Sequence, residues 1–234
     1  MRTCAFIGTL KDRLRAVFLC VLGVCFLGVG LAGCSTNSAN PLVSTLSSFL
    51  PGRADVSDRA RDVSYASIDF GIGGRGGLLI LSNISQGLTF WQTSRRETVV
   101  LRDGYLESSG GLVPELHMTR ISGYAAGDKK TPWSGEINAP VHYTVTRSWT
   151  NADGETDSGR ASADLVCAPG TVEKKLPLTT RALERCVETL SWERGKQTAS
   201  VLWRDPENHR VWAAEVVAWP GSPLYEWRVA RPWW

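Results

Sequence analysis

From Tyr65 to the C-terminus the hydrophobic pattern repeats every two residues, the period of a strand whose side chains point alternately to opposite faces. Short runs rich in Val, Thr, Tyr and Trp alternate with turn residues, and no long stretch carries a helical stripe. Asp103-Gly104 predicts a hairpin between Thr98–Leu101 and Tyr105–Glu107, because both central residues of a primed turn take positive φ. Asn151–Gly154 separates His142–Thr150 from Thr156–Val166, and Asp205-Pro206-Glu207-Asn208 joins Ala199–Arg204 to Arg210–Trp219. Along 142–149 one face collects Tyr143, Val145, Arg147 and Trp149, the other His142, Thr144, Thr146 and Ser148, the pattern of a half-buried strand. Arg210–Trp219 is apolar on both faces apart from Glu215, which predicts a central or doubly covered strand, and Tyr225–Val229 is expected to close the run. About ten strands without crossover helices predict an all-β fold, a large antiparallel meander curled into an open barrel or folded into two packed sheets.

The N-terminal region is of a different kind. Residues 1–15 are polar and basic, and Ala16 to Gly33 carries no charge. Its length would serve a transmembrane anchor of about 18–20 residues, whereas secretory apolar cores run to about 7–15. The end of the stretch favours export: Leu31-Ala32-Gly33-Cys34 resembles the bacterial lipobox, in which small residues precede the Cys that is lipidated before cleavage. Cys34 is then the mature N-terminus, carrying a diacylglycerol on sulfur and an amide-linked acyl chain, far more than the marginal hold of one myristoyl group. Ser35 follows where Asp would favour inner-membrane retention in lipoproteins of enterobacterial type, so the expected address is the outer membrane. The expected organisation is a signal peptide at 1–33, a tether and approach at 34–63 with a helical turn or two around Pro41–Leu50, and one β domain at 64–234.

The export reading also explains the charge. The chain has 26 Lys and Arg against 23 Asp and Glu, a net +3. Arg2, Lys11, Arg13 and Arg15 against Asp12 place that whole excess in the leader, so the mature chain is neutral and no nucleic-acid partner is expected. Cys4, Cys20 and Cys25 leave with the leader, which leaves Cys167 and Cys186 as either a disulfide or two buried thiols. A bridge closing that loop would contribute about 3 kcal/mol.

Candidate chemistry is sparse. Gly71-Ile72-Gly73-Gly74-Arg75-Gly76 has the GxGxxG spacing, but Gly77–Leu81 continues as strand rather than the helix a dinucleotide needs, so the glycines predict a hairpin loop. His117, His142 and His209 lack partners at metal-ligand spacing, and no metal site is expected. Asp153, Glu155 and Asp157 lie on a turn where solvated acids are ordinary, Ser134-Gly135-Glu136 is a turn rather than a nucleophile elbow, and no catalytic residue is assigned. Tryptophan is the outlier: all ten lie between Trp91 and Trp234. Their broad faces suit either packing in a wide curved sheet or stacking on sugar rings. Trp233 and Trp234, at the chain end and expected on opposite faces, are the pair predicted to be exposed for glycan or partner contact.

Tyr65-Ala66-Ser67-Ile68, the hydrophobic run before Trp91, Asp103-Gly104-Tyr105, Ser109-Gly110-Gly111-Leu112, Glu188 with Leu190, and Val201-Leu202-Trp203 before Asp205 together resemble the YjbF/GfcB family of group 4 capsule and exopolysaccharide outer-membrane lipoproteins. The chain has Asp103-Gly104-Tyr105 where that family more often shows Gly-Arg-Ile. The resemblance implies an all-β, periplasm-facing lipoprotein working with polysaccharide secretion machinery. Its partners would be an outer-membrane barrel protein of YjbH/GfcD type and a periplasmic protein of YjbG/GfcC type. It supplies no catalytic residue. The expected function is a non-enzymatic accessory in capsule or exopolysaccharide export or assembly, with no cofactor beyond the covalent lipid. The alternatives are a glycan-binding module using a Trp-rich face and a polysaccharide-modifying enzyme.

Overall fold

The computed structural model describes residues 55–124 and 131–234. The lipobox at Leu31–Cys34 and the helical turns expected at Pro41–Leu50 lie outside them. The described helix, α1 (Ser57–Asp62), falls instead in the charged segment that follows.

Thirteen strands follow: β1 (Ser67–Ile72), β2 (Arg75–Ser85), β3 (Leu88–Gln92), β4 (Thr98–Arg102), β5 (Tyr105–Gly110), β6 (Glu115–Ser122), β7 (Val141–Thr150), β8 (Thr156–Cys167), β9 (Val172–Lys175), β10 (Thr180–Trp192), β11 (Gln197–Arg204), β12 (Val211–Val217) and β13 (Leu224–Arg231). Twelve form one antiparallel path in the order β5-β4-β3-β2-β1-β13-β12-β11-β10-β8-β7-β6, with β9 added on β10. The path curls until its outer strands, β5 and β6, lie side by side in a nearly closed barrel. Of the two expected architectures it is therefore the barrel that forms. The three hairpins predicted from turn residues are present, and Asp103 and Gly104 take φ of 47° and 82°.

The last strand, Tyr225–Val229, lies inside the sheet, pairing β1 on one side and β12 on the other. The reason is burial: β13 carries Tyr225, Trp227 and Val229, each at most 1% exposed. Two ladders cover both edges of the strand that carries this apolar face.

Inward residues from every strand of the path join one core, and the register lines up Cys167, Cys186, Leu202, Ala214, Trp227 and Phe70 across adjacent strands. A smaller core lies outside, where Val56, Ala60 and Val63 around α1 pack on Leu78 and Ala230. Arg231 fixes the helix by donating to the carbonyls of Ala60 and Arg61 at 3.3 and 3.2 Å.

Antiparallel succession sorts the turns into two ends. The proximal end, where the chain enters β1, carries the Gln86-Gly87, Asp103-Gly104 and 205–210 turns, the 131–137 segment and the C-terminus. The distal end carries turns 73–74, 93–97, 111–114, 151–155, 193–196 and 218–223. There Trp149 stacks on Trp219, with centroids 5.2 Å apart and planes 7° from parallel, and Trp192 meets Trp149 edge-on.

Candidate functional site

The proximal end holds a cleft of about 380 Å³ whose lining includes Ile84, Gly87, Asp103, Asn208, Arg210 and Trp234. That volume is in the range of small-ligand sites, about 300–1,000 Å³. Two primed turns form one wall, Gln86-Gly87 at φ 50° and 78° and Asp103-Gly104 at 47° and 82°. The other wall is a turn fixed by Asp205, whose Oδ1 accepts from the amides of Glu207 and Asn208 at 3.0 and 3.2 Å. The Asp205 amide donates to the Arg210 carbonyl at 2.9 Å, and Arg181 reaches Oδ2 at 3.1 Å. Burial acts to raise the Asp205 pKa, but the two amides and the Arg181 guanidinium outweigh it and hold the carboxyl below its ordinary value.

Trp133 closes the barrel beneath the cleft. Its ring stacks on Tyr105 with centroids 4.4 Å apart, and its Nε1 donates to the Asp103 carbonyl at 3.1 Å. Arg204 holds the segment: Nη1 donates to the carbonyls of Trp133 and Gly135, both at 2.6 Å, while Nε pairs with Glu184 Oε2 at 2.6 Å. The expectation that Ser134-Gly135-Glu136 is a turn agrees with this, for Ser134 closes back on Thr131 through backbone and side chain.

Eight of the ten tryptophans are buried, so packing accounts for them. Trp233 and Trp234 are the other two, and the structure changes how they are read. Pro232 stops the strand at Arg231, strand alternation ends with it, and the two rings touch each other at 4.2 Å instead of facing opposite ways. Trp233 packs edge-on against Trp91 at 4.9 Å, so only Trp234 is exposed, at 38%. Trp212 meets Trp234 at 89° and 5.1 Å, and the Arg210 guanidinium lies 5.1 Å over its ring.

Inside the barrel a polar cluster escaped the sequence reading. Glu188, fully buried, accepts from the Tyr105 hydroxyl at 2.8 Å and from Tyr143. Arg147, also fully buried, donates to the Tyr105 oxygen at 2.6 Å, to the Ala218 carbonyl at 2.6 Å and to Thr119 Oγ1 at 3.3 Å. Burial pushes both tyrosines well above the ordinary phenol value, and the Glu188 charge adds to it. The one available signal was Arg147, a charge on the otherwise apolar face of β7.

The remaining candidates separate. Gly71–Gly76 is the β1–β2 hairpin, with Gly73 and Gly74 at φ 55° and 80°. His117 contacts Thr150 Oγ1 at 2.7 Å, His142 pairs with Asp164 on the surface, and His209 lines the cleft. Asn151 Oδ1 accepts from the amides of Asp153 and Glu155, while Asp157 binds Arg194, so these acids are not convergent. Cys167 and Cys186 stand opposite each other on β8 and β10 and are bonded. Among the described residues they form, with Glu184, a group of three ligand atoms within 4.8 Å of one another, but the sulfurs are spent in the disulfide and the carboxylate is held by Arg204.

No family model matches the chain, and no curated protein does. A solved structure does: the hypothetical lipoprotein YmcC from Escherichia coli superposes with a TM-score of 0.66 over 76% of this chain and 89% of that one, at 16% identity. The two chains share a fold.

Proposed function

We propose that this chain is a lipoprotein of the outer membrane, facing the periplasm, that acts as a non-enzymatic accessory in capsule or exopolysaccharide export. The observation that carries the reading is Leu31-Ala32-Gly33-Cys34 at the end of an uncharged stretch, ahead of a β body whose fold is shared with a protein described as a lipoprotein. Two acyl attachments on Cys34 would hold the barrel at the bilayer without any spanning segment of its own. Residues 34 to 55, even fully extended, reach no more than about 80 Å, so the body stays near the membrane where polymer passes.

A role without catalysis fits the acids. Glu188 is locked between two tyrosines inside the barrel, and Asp153, Glu155 and Asp157 are engaged in turn and surface contacts. The partners in this reading are an outer-membrane barrel protein of YjbH/GfcD type and a periplasmic protein of YjbG/GfcC type. Replacing Cys34→Ser tests the reading: secreted polymer should fall sharply while the barrel still folds. Normal secretion with the protein released from membranes would overturn it.

A further inference from the structure

Trp234 is held by Trp212, Trp233 and Arg210 and is still 38% exposed where it lines the proximal cleft.

The rest of the cleft is not simply apolar. Beside Trp234 its lining includes Asp103, Asn208 and Arg210, which bring a carboxylate, a carboxamide and a guanidinium to one cleft. All three stand on rigid turns: Asp103 on a primed hairpin, and Asn208 and Arg210 on the turn nailed by Asp205. Asn208 Oδ1 further accepts from the Arg210 amide at 3.0 Å. Gly87, at φ 78°, lies beside the Asp103 carboxylate, whose Oδ1 would stand 3.7 Å from a Cβ at that position.

An aromatic ring combined with fixed carboxylate, carboxamide and guanidinium groups is the chemistry that recognises a pyranose. The ring covers the sugar's C–H face while the polar groups bridge neighbouring hydroxyls. A purely apolar ligand would strip water from a carboxylate, a carboxamide and a guanidinium without replacing its hydrogen bonds, and a bare anion would meet Asp103. We infer that the Trp234 cleft is a saccharide-binding site that takes a pyranose unit of a polymer. The inference rests on the export reading for where such a polymer comes from. Preformed walls keep the ordering cost of binding low.

The test is calorimetric titration of the full acylated chain, in detergent, with oligosaccharides released by mild acid from the polymer the source cells secrete. The wild-type chain should bind, and Trp234→Ala should weaken binding about tenfold. The variant should keep a cooperative thermal transition, lowered by about a few degrees through the lost contacts with Trp212, Trp233 and Arg210. Asp103→Asn keeps a residue type that tolerates positive φ and should also weaken binding. Val113→Ser, at the distal end, should leave binding unchanged. No binding by the wild-type chain, or equal binding by Trp234→Ala, overturns the cleft assignment, as would loss of binding in Val113→Ser. Such a failure with secretion still dependent on Cys34 strikes the cleft alone, whereas saccharide binding without Cys34-dependent secretion strikes the export reading alone.

Discussion

Arg147 on β7 donates to the hydroxyl of Tyr105 on β5 at 2.6 Å, joining strands on either side of the β5–β6 seam, where no ladder is among the described pairings. Elsewhere the seam is held by side chains: the Leu116 amide donates to Ser109 Oγ at 2.9 Å, and the Gly111 amide to Glu115 Oε2 at 3.0 Å. The buried cluster thus fastens the barrel where its sheet does not. Removing one partner leaves the other charge buried and uncompensated, so Arg147→Ala should cost about 3–5 kcal/mol in urea unfolding. Tyr105→Phe, which leaves Arg147 and Glu188 each short of one contact, should cost about 1–3 kcal/mol.

Alkali should act on the same cluster. Unfolded tyrosines ionise near pH 10. Burial raises Tyr105, Tyr143 and Tyr225 above that in the folded barrel. The unfolded chain therefore loses protons first, so this stability is fully present below about pH 10 and is lost as pH rises toward the folded values. Unfolding free energy should fall over that window, and Tyr143→Phe should flatten the fall. An identical slope in the variant would contradict the assignment.

Reduction of Cys167–Cys186 opens a loop spanning a sequence separation of 19. The chain-entropy estimate puts the loss at about 3 kcal/mol. It should appear as a lower thermal midpoint with reductant, matched by a Cys167→Ser, Cys186→Ser double variant without it. No change in either would show that the neighbouring ladders alone fix the two strands.

Two glycines separate backbone strain from crowding. At Gly104, φ is 82° and a Cβ would lie 2.7 Å from Val211 Cβ; at Gly154, φ is 83° with nothing within 4 Å. Gly154→Ala should cost about 1 kcal/mol, the left-handed penalty alone. Gly104→Ala should cost about 1–3 kcal/mol more, because Val211 must also give way. Chemical denaturation of the two variants measures the difference.

The parts of this fold legible in the sequence were local. Asp103-Gly104 announces its turn because few residue pairs accept two positive φ values, and 142–149 announces its buried face because alternation is a property of the strand itself. The place of β13 was not legible, since nothing in Tyr225–Val229 encodes which distant strand will cover its edge. The Glu188 cluster depends on four strands, β5, β6, β7 and β10, and only Arg147 on an apolar face hinted at it. At the site, exposure was expected of Trp233 and Trp234 together and holds for Trp234 alone. Their contact was not legible, because the alternation rule was carried past Pro232, where the strand had already ended.

The central claim, that acyl chains on Cys34 hold this barrel at the outer membrane, is tested most directly by the intact mass of the protein extracted from isolated outer membranes. The account predicts a chain beginning at Cys34 and heavier than its sequence by a diacylglyceryl group and an amide-linked acyl chain. Recovery of the uncut 234-residue chain without added lipid mass would contradict it.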